Sequence, residues 1–365
     1  MVRIKDVTQY LEGLAPLALQ ESYDNAGLIV GNPNHKVTGI LVCLDSVEAT
    51  IDEAIEQGAN LIVAHHPIVF RGLKRFNGAD YVQRTVIKAI KNDIAIYAIH
   101  TNLDNVPNGV NSIIAKKLGV ENIRVLNPQK EGLTKLVTFC PIDKSQKVMD
   151  ALFEAGAGNI GDYSHCSFSS EGRGTFKAGE DAHPYVGKIG EVHKERESKI
   201  EVIVPNHLQG NVVSALLKSH PYEEVAYDLQ ALKNTNPFVG GGAIGELPKE
   251  VSTEIFLQRI KDTMKAGSVR YTKILKPTIK RIAICGGSGS FMLSEAKKAG
   301  ADLFLTSDFK YHEFFDSENQ IVIADIGHYE SEQYTSALLG DFLTQKFSTF
   351  AIRISAINTN PVNYL

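Results

Sequence analysis

Three short segments carry residue types that bind divalent metals, and each comes directly after an apolar run. They are His65-His66 after residues 61–64, His100 to Asp104 after residues 94–99, and His328 to Glu332 after residues 321–326. Imidazole and carboxylate groups together bind ions such as zinc, manganese, iron, cobalt or nickel. Adjacent histidines on a regular strand point to opposite faces, so a shared site requires the pair to lie where the chain bends, which Pro67 favours. The pattern predicts one metal site.

The candidate ligands exceed what a single ion needs. His328 and Glu332 are four residues apart, so they share one face of a helix that starts near Tyr329, after a sharp turn at Gly327. Glu330 should point elsewhere. Three imidazoles and two carboxylates suit two ions that share a bridging carboxylate, a centre that can acidify water for hydrolysis. The predicted ligands are His65, His66, Asp104, His328 and Glu332.

Other polar groups near these segments have two interpretations each. His100 is either a further ligand or a residue that orients the turn beside Asp104 and supports a ligand from behind. Asp308 and His312 follow another apolar run. They either pack structurally or line the pocket, where they could help to move protons.

Two glycine-rich stretches have spacings that occur in phosphate-binding or dinucleotide-binding loops. Residues 286–290 follow a predicted strand and precede a helix, so their N–H groups either hold a phosphate or form a tight turn. Residues 240–245 match G-x-G-x-x-G in spelling, but Pro248 opposes the helix that a dinucleotide site requires. We therefore predict no dinucleotide site there.

The elements that must position the ligands alternate between strand and helix. Apolar periodicity predicts strands at residues 39–44, 61–64 and 94–99, with helices at residues 47–57 and 80–92 between them. This order is typical of an α/β fold with parallel strands.

A repeat links this region to the C-terminal part. An ungapped offset of 242 positions aligns Ile40 with Ile282, Cys43 with Cys285, Gly58 with Gly300 and Leu61 with Leu303. It also places His65-His66 on Ser307-Asp308. Similar composition of strand–helix–strand units is the alternative explanation. If the repeat is real, two related lobes face each other across a common cleft.

The middle of the chain has a different order of predicted strands and helices. Strands are predicted at residues 134–140 and 199–204 and helices at residues 145–154 and 212–217, separated by an irregular or β stretch. This order suggests a ferredoxin-like α+β insertion, with residues 234–245 as the return linker. The expected division is an N-terminal α/β lobe (residues 1–127), an inserted domain (128–235) and a C-terminal α/β lobe (236–365) that completes the metal site.

Bulk properties exclude several classes of protein. The 365 residues carry a net charge of −4, which gives no general attraction for nucleic acid or an anionic membrane, and we interpret the basic stretch at residues 270–281 as a solvated face. No apolar run could span a membrane and no signal peptide is evident, so we expect a cytoplasmic protein. Four cysteines without C-x-x-C spacing indicate neither a disulfide framework nor a thiolate zinc site.

Taken in order, these motifs resemble the NIF-three-like dinuclear-metal family, whose bacterial members are commonly labelled GTP cyclohydrolase 1 type 2 homologues. The motifs are Tyr23 to Leu28, His65-His66-Pro67, His100 to Asp104, Gly286 to Gly289, Ser307 to His312 and Gly327 to Glu332. The segment His220 to Glu224 is similar to the PII- or CutA-like insertion of longer members. Tyr23 is a departure, since many members have Trp there.

The resemblance implies metal ligation by the five predicted residues and a toroidal homohexamer that the insertion caps. It does not supply a reaction. The hypotheses are a metal-dependent hydrolase of a nucleotide or related small molecule, of the cyclohydrolase or phosphoesterase type, and a non-catalytic metal- or metabolite-binding scaffold. Metal storage or delivery is a third.

Overall fold

Apolar runs of the sequence become the strands of three sheets in the computed structural model, which describes residues 1–365. The strands are β1 Gly27–Val30, β2 Gly39–Cys43, β3 Leu61–Ala64, β4 Ala95–Ala98, β5 Glu121–Gln129, β6 Leu133–Pro141, β7 Ser167–Lys177, β8 Val192–Pro205, β9 Tyr227–Leu232, β10 Asn236–Ser252, β11 Arg270–Tyr271, β12 Thr278–Ser288, β13 Leu303–Ser307, β14 Val322–Asp325 and β15 Ala351–Ile354. The α-helices are α1 Ile4–Leu14, α2 Glu48–Glu56, α3 Tyr81–Lys91, α4 Thr101–Asp104, α5 Val110–Lys117, α6 Ser145–Glu154, α7 Gln209–Ser219, α8 Thr253–Thr263, α9 Leu293–Lys298, α10 His328–Glu332 and α11 Thr335–Lys346.

Residues 1–128 and 238–365 form one compact unit, which contains two of the sheets. The first sheet has the order β1-β4-β3-β2-β15, and β2, β3 and β4 are parallel, as the sequence predicted. Their side chains are apolar and fully buried because packed layers cover both faces. Because these strands are parallel, their carboxyl ends meet at one edge of the sheet.

The second sheet has the order β11-β14-β13-β12-β10-β5, with β12, β13 and β14 parallel. The offset of 242 positions holds in its register, since Ile40 pairs with Leu61 in the first sheet and Ile282 pairs with Leu303 in the second. One hydrophobic core contains buried residues of both sheets. The two sets of strand ends are therefore held in one rigid body.

The predicted return linker at residues 234–245 is wrong, because β10 runs through it and pairs with β12. The glycines serve close packing rather than flexibility. A Cβ at Gly245 would lie 2.5 Å from the carbonyl oxygen of Glu121, and Gly242 has a φ of +66°. Glycine composition alone does not distinguish such a strand from a loop.

Residues 129–237 form a second compact unit around a four-stranded antiparallel sheet of order β7-β8-β6-β9. Helices α6 and α7 cover one face, where their apolar side chains pack against alternate residues of β6 and β8. The chain order is β6-α6-β7-β8-α7-β9. Across the whole chain, no helix has both the length and the apolar character needed to cross a membrane.

Candidate metal centre

The ends of parallel strands deliver the candidate ligands. His65 and His66 follow β3, His100 follows β4, and Asp104 closes the short helix α4. From the second sheet, the chain turns after β14 at Gly327, whose φ of +91° favours glycine, and enters α10. His328 and Glu332 are the first and last residues of that helix.

Glu332 lies at the centre of these side chains. Its Oε2 is 2.9 Å from His66 Nε2 and 3.1 Å from His328 Nε2, while its Oε1 is 3.8 Å from His65 Nε2. Asp104 Oδ1 is also 3.8 Å from His65 Nε2. Two groups with metal-ligand spacing result, His66–His328–Glu332 and His65–Asp104–Glu332, and Glu332 belongs to both. Glu330 points away, as expected, and accepts a hydrogen bond from Asn360.

Each imidazole is held through Nδ1 by a group that can only accept a hydrogen bond. The Nδ1–H groups of His66, His100 and His328 donate to carboxylates at 2.7 Å, and His65 donates to the Ile99 carbonyl at 2.8 Å. The carboxylates belong to Asp45, Asp24 and Asp308 respectively. In the neutral ring, this arrangement leaves the Nε2 lone pair free to bind a metal.

Two buried polar atoms at the centre have no hydrogen-bond partner, namely His65 Nε2 and Asp104 Oδ1. Leaving buried polar atoms unpaired costs about 1–3 kcal/mol each. Nitrogen and carboxylate donors are the ligands that divalent transition metals take, so the residues present fit such ions.

In the absence of ions, burial and hydrogen bonds shift the pKa values of the ligand residues in opposite directions. Burial alone would lower the pKa of His66, but hydrogen bonds to Asp45 and Glu332 raise it to about 9. Burial likewise opposes hydrogen bonds to Asp308 and Glu332 that raise the pKa of His328 to about 11. Burial and the nearby Glu332 raise the pKa of Asp104 to about 7, whereas the imidazoles hold the pKa of Glu332 low despite its burial. Bound cations would replace these protons.

The remaining candidates have different positions. Asp308 lies in the cleft beside His328, with its side chain 46% exposed. His312 is exposed on a 3₁₀ helix, packs on Tyr311 and Phe315, and does not line the cleft. The positive φ of Asp308 turns the chain after β13, and His312 leaves the strand end with it. His100 joins His65 and His66 in a third group with ligand spacing.

Asp24 and Asp45 support the imidazoles, and the sequence analysis assigned a role to neither, although Asp24 lies in the motif Tyr23 to Leu28. The one signal for Asp45 is its position just after β2, beside the strand that precedes His65. Hydrogen bonds from His100 and Thr101 outweigh burial and hold the pKa of Asp24 at about 2. Hydrogen bonds from His66 and Thr359 likewise lower the pKa of Asp45 despite its burial.

Gly286 and Gly287 pack against the centre. The N–H of Gly286 donates to Asn111 and that of Gly287 donates to Ser331, so these two donors are already used and cannot hold a phosphate. A Cβ at Gly287 would lie 2.3 Å from Glu332 Oε1. Glycine is needed here so that β12 can pass close to the ligand.

A cleft of about 700 Å³ opens beside the centre. His66, His100 and His328 reach its wall, and Arg270 is the one lysine or arginine that lines it. Arg270 pairs with the buried Asp325 and remains 55% exposed. Aromatic side chains complete the lining: Phe70, Tyr329 and Tyr364.

Comparison with known proteins identifies the family of this chain. The family model for DUF34/NIF3 (NGG1p interacting factor 3) matches residues 2–361. The chain belongs to the DUF34/NIF3 family. Among curated DUF34/NIF3 relatives, the GTP cyclohydrolase 1 type 2 homolog of Halalkalibacterium halodurans is 39% identical over 98% of both chains. The homolog of Bacillus subtilis is 37% identical over 99% of this chain and 98% of its own.

Solved structures of DUF34/NIF3 proteins share the fold. The crystal structure of a Bacillus cereus protein related to NIF3 superimposes with a TM-score of 0.87 at 36% identity, covering 100% of this chain and 99% of its own. A Staphylococcus aureus protein gives a TM-score of 0.78 at 33% identity with the same coverage. The family resemblance inferred from the ordered motifs is confirmed.

Proposed function

We propose that this DUF34/NIF3 protein is a metal-dependent hydrolase of a nucleotide or a related small molecule, with two divalent ions in each subunit. His65, His66, Asp104, His328 and Glu332 would hold the ions. The observation that carries the proposal is the shared position of Glu332, whose two oxygens face different imidazoles. A carboxylate that belongs to two ligand groups at once is what a bridged pair of ions requires.

The chemistry follows from the donor set and from the protein groups around it. When bound, a pair of divalent ions supplies a nucleophile near neutral pH by acidifying water, and it polarises an oxygen of the substrate. Asp45 and Asp308 would hold His66 and His328 in place through Nδ1. Asp308 also faces the cleft, and we assign to it the transfer of a proton. His312 does not line the cleft, so the proposal gives that role to Asp308 alone.

The cleft supports a nucleotide as the substrate class. Its volume of about 700 Å³ lies within the range of about 300–1,000 Å³ that is typical of small-molecule sites. Phe70 and the tyrosines offer surfaces on which a planar base could pack, and Arg270 offers a charge for a phosphate. The name of the curated relatives, GTP cyclohydrolase 1 type 2 homolog, makes GTP the first nucleotide to test.

Two glutamates in α10 provide a matched test. Glu332 and Glu330 are both buried, at 3% and 5% exposure, but only Glu332 faces the imidazoles. We expect Glu332→Gln to lose most of its bound zinc or manganese and all hydrolysis, while Glu330→Gln keeps its metal content. Metal content is measured by mass spectrometry after reconstitution, and turnover is measured on nucleotides, cyclic nucleotides and phosphodiesters. A Glu332→Gln protein with full metal content and activity would refute the proposal.

A non-catalytic metal- or metabolite-binding scaffold is the second candidate. The observation that favours it is a separate cavity within residues 129–237, remote in sequence from the ligands. The discriminating result would be metal-loaded protein that turns over no nucleotide in the panel. That result would reject hydrolysis without rejecting the metal centre.

We also infer the assembly and the domain organisation from the family resemblance. Residues 128–235 would be an inserted ferredoxin-like domain of the PII or CutA type, a view supported by the order β6-α6-β7-β8-α7-β9. Residues 1–127 and 236–365 would be the two lobes of one core domain. The chain would assemble as a toroidal homohexamer, and light scattering should then give about six times the subunit mass of 40.0 kDa.

A further inference from the structure

The unit formed by residues 129–237 contains its own cavity, of about 640 Å³. Helices α6 and α7 pack against Ile200, Val202 and Val204 of β8. Glu197 and Lys199 alternate with those residues and line the cavity. The cavity therefore lies on the face of the four-stranded sheet that the helices do not cover.

Glu197 is a buried carboxylate without a counter-charge. Glu197 is only 8% exposed, and its one hydrogen bond is donated by the hydroxyl of Tyr222, at 2.8 Å. A carboxylate can accept about four hydrogen bonds, and a buried charge is costly unless it is paired. No lysine, arginine or histidine forms an ion pair with Glu197, whereas Glu201 on the same face pairs with Lys135 and Lys199.

Glycines on the neighbouring strand make room for this carboxylate. Gly174 on β7 has no side chain, and a Cβ there would lie 2.0 Å from Glu197 Oε2, so the carboxylate occupies the space over this glycine. Gly172, the direct cross-strand partner of Glu197, also presents no side chain. Both glycines line the cavity together with Glu197.

Three aromatic rings surround the same space. The ring of Tyr222 has its centroid 6.2 Å from that of Phe176 and 6.2 Å from that of Tyr185, and all three residues line the cavity. Electron-rich ring faces attract organic cations within about 6 Å of a centroid, and groups of such rings recognise substituted ammonium ions.

The charges around the cavity favour a cation over an anion. Glu223 and Glu224 also line it, while Lys199 is already paired with Glu201. The lining further includes Glu171, Arg173 and Lys177 of β7. These three alternate with Gly172, Gly174 and Phe176, so their side chains leave from the other face of the sheet. The three groups with metal-ligand spacing all lie outside this unit. An organic cation therefore fits better than a metal ion.

We propose that this cavity is a binding site for an organic ammonium or guanidinium group attached to an apolar or aromatic body, with Glu197 as the counter-charge and Phe176, Tyr185 and Tyr222 around the cation. The ligand is either a free small molecule or a lysine or arginine side chain of a second copy of this chain. The site is independent of the metal centre and of the proposed hydrolysis.

The test uses the full-length, metal-loaded protein and the probe 2-phenylethylammonium. Calorimetry or ligand-observed NMR should show saturable binding of this amine. Its neutral analogue 2-phenylethanol should bind at least tenfold more weakly, and phenylacetate should not bind measurably. Equal binding of the amine and the alcohol would overturn the proposal, because the cavity would then recognise only apolar surface.

Variants of β8 provide the matched comparison. Glu197→Gln keeps the shape and removes the charge, so we expect at least a tenfold loss of amine affinity, while Glu201→Gln should bind like the wild type. If Glu197→Gln does not fold, Tyr185→Leu, at a 49% exposed position, should still lower the affinity severalfold. Wild-type affinity in a folded Glu197→Gln protein would reject the site.

Sedimentation distinguishes the two sources of the cation. If saturating amine dissociates an oligomer of the wild type, and Glu197→Gln forms less of that oligomer without any amine, the native occupant is a basic side chain of a second copy. If the amine binds without changing the sedimentation coefficient, the native occupant is a free molecule. Each result supports the same charge recognition, and absence of amine binding in the wild type rejects it.

Discussion

The imidazole of His66 keeps its orientation through a chain of two hydrogen bonds. Asp45 accepts one from Nδ1 at 2.7 Å, and Thr359 donates another to the second carboxylate oxygen at 2.6 Å. Partners of this kind typically change metal affinity about 10- to 100-fold when they are removed. We expect Asp45→Asn to weaken zinc binding by that factor, measured by competition with a chromophoric chelator. Asp52→Asn, on the exposed side of α2, should leave the affinity unchanged.

His220 should make the unit of residues 129–237 sensitive to acid. Its Nε2 donates to the Phe139 carbonyl at 2.9 Å and its Nδ1 accepts from the Tyr222 N–H at 3.1 Å, so the neutral ring is fully paired. Burial lowers the pKa of His220. Below the unfolded-state pKa of about 6.5, the unfolded chain binds a proton that the folded chain does not, so stability falls as the pH falls.

Hydrogen exchange can measure this effect. Between about pH 7.5 and about pH 5.5, protection of β6 and α7 should decrease after correction for intrinsic exchange rates. His220→Gln cannot titrate, so its protection should lose this pH dependence whatever its absolute stability. An identical pH dependence in the variant would assign the effect to other groups.

At the scale of elements, the close passage of β12 beside α10 depends on Gly287. Its φ of +63° is unfavourable for other residues, and an added Cβ would meet Glu332 Oε1. Gly287→Ala should lower the free energy of unfolding by about 1–2 kcal/mol and also reduce metal content. Gly13→Ala in α1 meets no atom within 4 Å and should raise stability by about 0.5 kcal/mol without affecting metal. Thermal unfolding and metal analysis together test both expectations.

The elements themselves were largely predictable, because apolar periodicity is a local property. The predicted helix at residues 145–154 coincides with α6. The 242-residue offset appears in the strand pairing, since Ile40 pairs with Leu61 and Ile282 pairs with Leu303. The glycines of β10 were misinterpreted because their role depends on contact with Glu121, far away in sequence. A local sequence pattern contains no information about such a contact.

Site residues were predictable only where several ligand types stood together. His65 and His66 form a recognisable pair, and His328 and Glu332 have helical spacing. The partners of Asp24 and Asp45 are 76 and 21 residues away, so no local pattern reveals what either carboxylate contacts. A single aspartate after a strand, as at Asp45, is too common to indicate a function. For His312, position after a strand suggested the pocket, but the chain turn at Asp308 directs it elsewhere.

At the scale of the whole molecule, the metal centre should not need residues 129–237. All its ligands lie in the other unit, and the chain leaves and re-enters that unit through β5 and β10, which are neighbours in one sheet. We expect a variant with residues 129–237 replaced by a short glycine–serine linker to fold and to bind the same number of ions per chain.

Circular dichroism and metal analysis provide the measurements for that variant. The same deletion carrying Glu332→Gln is the control, since it should fold equally well and lose its metal. A folded deletion variant without metal would show that the second unit contributes to the centre.

The position of Glu332 between imidazoles of both sheets has one more consequence. His66 and Glu332 are 266 residues apart, so an ion held by both would cross-link distant parts of the folded chain and would have no equivalent site in the unfolded chain. Such an ion stabilises the fold by about 2.7 kcal/mol when its free concentration is one hundred times its dissociation constant. The melting temperature would then depend on the free concentration of the ion. Chelation should lower the melting temperature of the wild type but not that of Glu332→Gln. Scarcity of that metal would therefore lower the amount of folded protein.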